Sequence, residues 1–251
     1  MKKRVDLTVA EVTPTVAEVL EAQGMAGRQN IPARITALLD SALGIFKQLA
    51  EPKGILQEIP VTGFRALYDG NGRNSDECPV PGIVAHADAL AIFAATMGDT
   101  LMNKSSELFA QGGPALGYML DAVNSAGAER LGRLMCRRFL ELLPEEKHDG
   151  KKLKCQYYCP GHCGWHLSGQ EPLFRLLHPE DIGIQITSSW AMYPTKSISG
   201  VLVAGEMEIH RFKPAFSFCQ GCKEHKCVQR LRLLENDVGQ ESRRRSAGLL
   251  S

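Results

Sequence analysis

The stretch from Cys155 to Gly200 constrains this chain more than any other. Cys155, Cys159 and Cys163 fall four residues apart, wrapped around a Pro160-Gly161 turn. Leu173, Phe174, Leu176 and Leu177 then give one apolar helical face, and Pro179 and Gly183 stop that helix. Ile184 to Thr187 reads as a strand. A loop rich in Ser and Pro follows, and a second strand starts at Ile198. Loop, helix, strand, loop, strand follow one another closely, and the loops carry the polar groups.

Upstream the pattern is mostly helical. Val5 to Val9 alternates as a strand and leads into a helix, Pro14 to Ala22. Asn30 is the expected cap of the next helix. Ile35, Leu38, Leu39, Ala42, Leu43, Phe46 and Leu49 recur at helical spacing there, until Pro52-Lys53-Gly54. Ile55 to Tyr68 reads as one or two strands broken at Gly63, and residues 69–81 as a loop. Three helices are expected next: a buried one over Ala87 to Met97, then Asp99 to Gln111, then Pro114 to Leu143. In the last, the small run from Asn124 to Ala128 admits a close neighbour, and Asp121, Ser125 and Glu129 share a face.

At 251 residues the chain can bury a proper core. We expect one domain over 1–235, helical over about 14–145 and sheet-rich and cysteine-bearing over about 150–235. Val201 to Ala204 and Glu206 to His210 read as two strands joined at Gly205, and the polar tail 236–251 reads as disordered. With 29 basic against 28 acidic residues, the charge carries no nucleic-acid or membrane-surface signature. No apolar run reaches the roughly 18 residues that span a bilayer. Asp6 and Glu11 interrupt what would be a signal peptide, so the expectation is a cytoplasmic protein.

Six of the eight cysteines are clustered. In a cytoplasmic chain, such clusters point to metal ligands rather than disulfides. Cys219, Cys222 and Cys227 form C-x2-C-x4-C, the first pair at zinc-knuckle or iron–sulfur spacing. Cys155, Cys159 and Cys163 form a second trio, with His162, His166 and His225 near enough in sequence to complete a site. The expectation is a [4Fe–4S] cluster or a zinc ion on the C-terminal trio plus at least one upstream cysteine. Cys78 and Cys136 read as merely buried thiols.

One further set of residues stands in fixed register: Pro160, Gly161, Trp165, Leu167, Gln170, Leu173, Phe174, Ile182, Gly183, Thr187, Ser189, Met192, Pro194, Lys196, Ser197, Ser199 and Gly200. This wording resembles the reactivation domain of cobalamin-dependent methionine synthase, in its stand-alone bacterial form. The resemblance implies an α+β fold, a bent antiparallel sheet with helices packed on it and a ligand cleft along one side. It also implies binding of S-adenosylmethionine for reductive methylation of cob(II)alamin. The cobalamin would be carried by a partner, a methionine synthase or other corrinoid protein. An electron would come from a flavodoxin, a ferredoxin or the chain's own cluster, which favours iron–sulfur over zinc.

Carried onto this chain, the resemblance puts the S-adenosylmethionine and cobalamin site on Glu129, Tyr157, Cys159, Gly161, His162, Ser188, Ser189, Trp190 and Tyr193. Two departures stand out. The family's R-x-x-P-G-Y pattern has Tyr157 in place of Arg and His162 in place of Tyr, and a phenol cannot grip a carboxylate as a guanidinium does. Arg133 stands where a second acid is expected. Lys154 or Arg211 would then have to hold the ligand's carboxylate. Lys196, Ser197 and Ser199 read as shaping the turn into the next strand. The alternative is a metal-binding redox or docking module that keeps the fold without the methyl donor. A weaker third option is a metal-dependent enzyme using His162 or His166 as acid–base groups.

Overall fold

A computed structural model describes residues 2–25, 30–69, 72–147 and 152–211. The tail and the trio Cys219, Cys222 and Cys227 lie outside the described residues. The elements are β1 (Lys2–Val5), α1 (Val9–Val12), α2 (Val16–Ala22), α3 (Ala33–Leu49) and β2 (Lys53–Glu58). They continue as α4 (Phe64–Tyr68), α5 (Val80–Ala85), β3 (Ala89–Thr96), α6 (Thr100–Ala110) and α7 (Pro114–Leu142). After these come β4 (Lys154–Tyr158), α8 (Gln170–Leu177), β5 (Gln185–Ile186), β6 (Met192–Tyr193) and β7 (Ile198–Gly205).

Five strands form one antiparallel sheet in the order β1-β2-β3-β7-β4. Its strands come from both halves of the chain, so the helical and sheet-rich segments interleave in space. Helices cover both faces. Along β3, Ala89, Ala91, Phe93 and Ala95 join a core with α3 and α7, while Leu90, Ile92 and Ala94 join a second core with α5 and α8. This alternation follows from the two-residue period of a strand.

That double burial explains one failed expectation. Residues 87–97 read as a buried helix, yet Ala89–Thr96 is the central strand, with every residue buried. A strand covered on both faces shows no polar alternation, and an apolar run of this length fits either element. The strand expected over Val5 to Val9 is instead Lys2–Val5, and Val9 opens helix α1. Glu206 to His210 is not a strand but a 3-10 turn over Met207–His210. The second half of the 55–68 segment is helix α4 rather than strand. Helices α3, α6, α7 and α8 lie where the spacing puts them, though α3 is preceded by Pro32 without a side-chain cap, not by Asn30.

The N-terminal helices show how local signals become tertiary ones. The tetrapeptide Thr-Val-Ala-Glu occurs at 8–11 and again at 15–18. Each copy forms a capping box, in which Thr8 or Thr15 accepts from the backbone N–H of Glu11 or Glu18 and the glutamate returns the bond. Both glutamates also face α7. Glu18 pairs with Arg130 and Arg133, and Glu11 with Arg137 and Arg138.

Candidate functional site, a cleft between the long helix and the sheet edge

Helix α7 crosses the sheet beside its edge strand β4. Asp121, Ser125, Glu129 and Gly132 recur along it at three- and four-residue intervals and so share one side. Gly132 sets the spacing between helix and strand. A Cβ there would stand 2.8 Å from two atoms of the Tyr157 ring and 2.9 Å from Ile198 Cδ1. The missing side chain therefore lets the Tyr157 ring slide under the helix. Tyr157 is 2% exposed, and its hydroxyl donates to Glu129 Oε2 at 2.7 Å.

The next wall is the turn after β4. Gly161 N–H donates to the Trp165 carbonyl at 2.7 Å and Trp165 N–H to the His162 carbonyl at 2.9 Å, with Gly161, Cys163 and Gly164 at positive φ. Trp165 anchors the turn from below, packed against Phe64 and Tyr68 at 5.6 and 5.8 Å between ring centroids.

The third wall is the chain entering β7. Lys196 Nζ donates to Asp121 Oδ2 at 3.1 Å and to Ser125 Oγ at 2.8 Å, bridging back to α7. Ser197 Oγ donates to Thr96 Oγ1 at 2.9 Å, and the buried Ser199 hydroxyl to the Gln170 side-chain carbonyl on α8. The space enclosed is about 330 Å³, within the range of small-molecule pockets. Ser125, Glu129, Tyr157, His162, Gln170 and Lys196 supply much of its polar lining.

Of the residues assigned to the site from sequence, Glu129, Tyr157, Cys159 and His162 line this cleft, and Gly161 sits in the turn that forms its edge. Ser188, Ser189, Trp190 and Tyr193 do not line it. They belong to the β5–β6 hairpin, where Thr187 and Ser189 hydroxyls bond each other at 2.9 Å. Trp190 is held by His166, edge-on at 5.7 Å between ring centroids, and by Arg73, whose guanidinium carbon lies 5.0 Å from the indole centroid. Sequence reasoning missed Lys196 and Ser125 as cleft residues, as well as Gln170, Ser197 and Ser199. The four-residue spacing of Asp121, Ser125 and Glu129 was the available signal.

Arg133 does not oppose Glu129. It points to Glu18 in a separate polar groove lined also by Glu11, Arg130 and Arg137. Burial pushes the Glu18 carboxyl up. The Thr15 backbone N–H, Arg133 and Arg130 outweigh this and hold it below the ordinary carboxylate value.

The upstream cysteines do not gather. Among the described residues no three His, Cys, Asp or Glu side chains are placed to hold a metal ion, so Cys155, Cys159 and Cys163 do not fit an iron–sulfur or zinc site of their own. The turn after β4 is the cause, because it carries Cys163 away from the face that Cys155 and Cys159 share. Cys155 and Cys159 pack into the core beneath α7, and Cys163 packs against the opposite one. Cys155 instead meets Cys136, and burial followed by that thiol raises its pKa far above the usual thiol value. Cys136 is thus buried as expected but not isolated. Cys78 meets Tyr68, and burial raises its pKa against the smaller opposing pull of that hydrogen bond.

A family model described as "Vitamin B12 dependent methionine synthase, activation domain" matches residues 81–213. A solved structure, the "MetH Reactivation Domain bound to AdoHcy", superposes with a TM-score of 0.57 at 16% identity. The match covers 81% of this chain and 78% of that one. A search of curated proteins returned no match.

Proposed function

Because the chain belongs to the vitamin B12-dependent methionine synthase activation domain family, we propose that its α7–β4 cleft binds S-adenosylmethionine and serves reactivation of a corrinoid protein. The partner is a cobalamin-carrying methionine synthase or related protein, which supplies the methyl-accepting corrinoid. A flavodoxin or ferredoxin supplies the electron.

The carrying observation is Glu129, a carboxylate oriented at the cleft wall by the buried Tyr157 hydroxyl. A carboxylate beside a sulfonium lowers the energy of the bound cation, the more so where water is partly excluded. Tyr157 fixes the direction of that carboxylate. The cleft's volume suits one small-molecule ligand, and AdoHcy, the ligand of the solved relative, is S-adenosylmethionine without its methyl group.

A second reading has its own observation. Tyr157 occupies the position of the family's carboxylate-gripping Arg and spends its hydroxyl on Glu129. In that reading the chain is a docking or metal-binding module without a methyl donor. Any cluster or zinc would then rest on Cys219, Cys222 and Cys227. In this case Tyr157→Arg creates S-adenosylmethionine binding that the natural chain lacks.

The test is anaerobic. Protein, a corrinoid partner and reductant are mixed, S-adenosylmethionine is added, and the cob(II)alamin absorbance is followed, with iron and zinc quantified on the same sample. Decay of that absorbance on donor addition, dependent on this protein, is expected. An unchanged spectrum overturns the reactivation reading.

A further inference from the structure

Deepening the reading of the cleft as an S-adenosylmethionine site, we infer that Lys196 holds the ligand's carboxylate, since no arginine lines the cleft among the described residues. Lys196 and His162 are the basic side chains among the residues that line the cleft. An ammonium has three donors. Two of those on Lys196 are committed, to Asp121 Oδ2 and Ser125 Oγ, and the third has no partner among the described residues.

Asp121 and Ser125 act as positioning residues. They stand one turn apart on α7 and clamp the end of a side chain that arrives from the β7 approach. Ser125 donates its own proton to the Asp121 carbonyl at 2.9 Å, which leaves its oxygen lone pairs to accept from Lys196. The clamp removes rotamer freedom from a long side chain before a ligand arrives, so less is lost on binding.

The placement also sets a charge order along the cleft. Ser125, touched by Lys196, and Glu129 are four residues apart, a rise of about 6 Å along the helix. The cleft thus presents a cation and an anion one turn apart. A ligand that carries a carboxylate at one end and a cationic sulfonium a few bonds away matches this order. A carboxylate-free ligand leaves Lys196 with Asp121 and Ser125 alone. The assignment therefore predicts selection for an intact amino-acid end. Lys154 and Arg211, the cations proposed from sequence, are not among the residues lining the cleft.

The test titrates the full-length chain with S-adenosylmethionine and with its decarboxylated analogue, which keeps the adenosine, sulfonium and ammonium. Wild type is expected to prefer S-adenosylmethionine by about ten- to a hundredfold, the scale of one charge-assisted hydrogen bond. Lys196→Met should abolish that preference by weakening S-adenosylmethionine alone, and Lys196→Arg should keep part of it. A merely structural lysine would weaken both ligands together, and that result overturns the assignment. Equal wild-type affinity for both ligands overturns the assignment while leaving the function reading standing. Binding of neither ligand overturns both.

Discussion

Two sides of helix α7 carry charge in different ways. On one, Arg130, Arg133, Arg137 and Arg138 meet Glu11, Glu18 and Glu141 in an ion-pair network that docks the N-terminal helices. On the other, Glu129 lines a cleft with Tyr157 as its partner, and Asp121 holds Lys196 at that cleft's wall. The first side spends its charge within the protein. The second arranges charge around a space. Arg133, one turn from Glu129, makes no electrostatic conflict with the cleft, because Glu18 of α2 claims its guanidinium in the separate groove. A charge read from sequence acquires meaning only with the side it occupies.

The comparison can be broken from the cleft side first. Gly200 lies in β7 where a Cβ would stand 2.1 Å from the Tyr158 carbonyl oxygen, a backbone atom that no rotamer change can move. Gly200→Ala is expected to cost about 3 kcal/mol or more and to abolish ligand binding by parting β4 from β7. A urea titration beside the wild type measures it.

Acid acts at different pH on the sheet edge behind the cleft and on the arginine side. His210, fully buried against Tyr158 of β4, is pushed by burial from 6.5 to about 4, against a smaller opposing pull from the Lys154 backbone. Between those values the unfolded chain binds a proton that the folded chain refuses. Stability is therefore full above about pH 6.5 and falls as pH drops toward 4, by on the order of 3 kcal/mol, then levels for this group. The arginine side responds lower. The depressed Glu18 contributes above its unfolded value near 4.5, and its contribution is lost as pH falls through its folded value. Urea midpoints against pH should show a slope between 6.5 and 4 that His210→Phe removes.

A smaller effect is expected at the helix–strand contact. Gly132→Ala crowds the Tyr157 ring and should cost about 1–3 kcal/mol, with weaker ligand binding because Glu129 loses its orienting hydroxyl. Smallest is Glu18→Gln, which removes a charge shared by two arginines and should cost about 1 kcal/mol in thermal stability while leaving ligand affinity unchanged. Loss of affinity in that variant would join the two sides that the comparison separates.

The helices were legible because their apolar residues recur at 3.6-residue spacing on one side, as in α3 and α7. The central strand was not, because Ala89–Thr96 is apolar on both faces and carries no period. Strand β4 hid inside the cysteine pattern. The four-residue spacing that suggested ligands on one loop instead puts Cys155 and Cys159 on one strand face within the core, and the turn carries Cys163 to the other core. The cleft was half legible. Glu129 and Tyr157 follow from register with a known motif, whereas Lys196 meets Asp121 from 75 residues away, and no local pattern announces such a pair.

The most direct measurement is isothermal titration of S-adenosylmethionine into the wild-type chain, Glu129→Gln and Glu18→Gln. Glutamine at 129 can still accept from the Tyr157 hydroxyl, so that variant removes charge and keeps the hydrogen bond. The account predicts micromolar binding by wild type and by Glu18→Gln, and affinity at least about tenfold weaker in Glu129→Gln. No binding by wild type, or equal affinity in all three proteins, would contradict it.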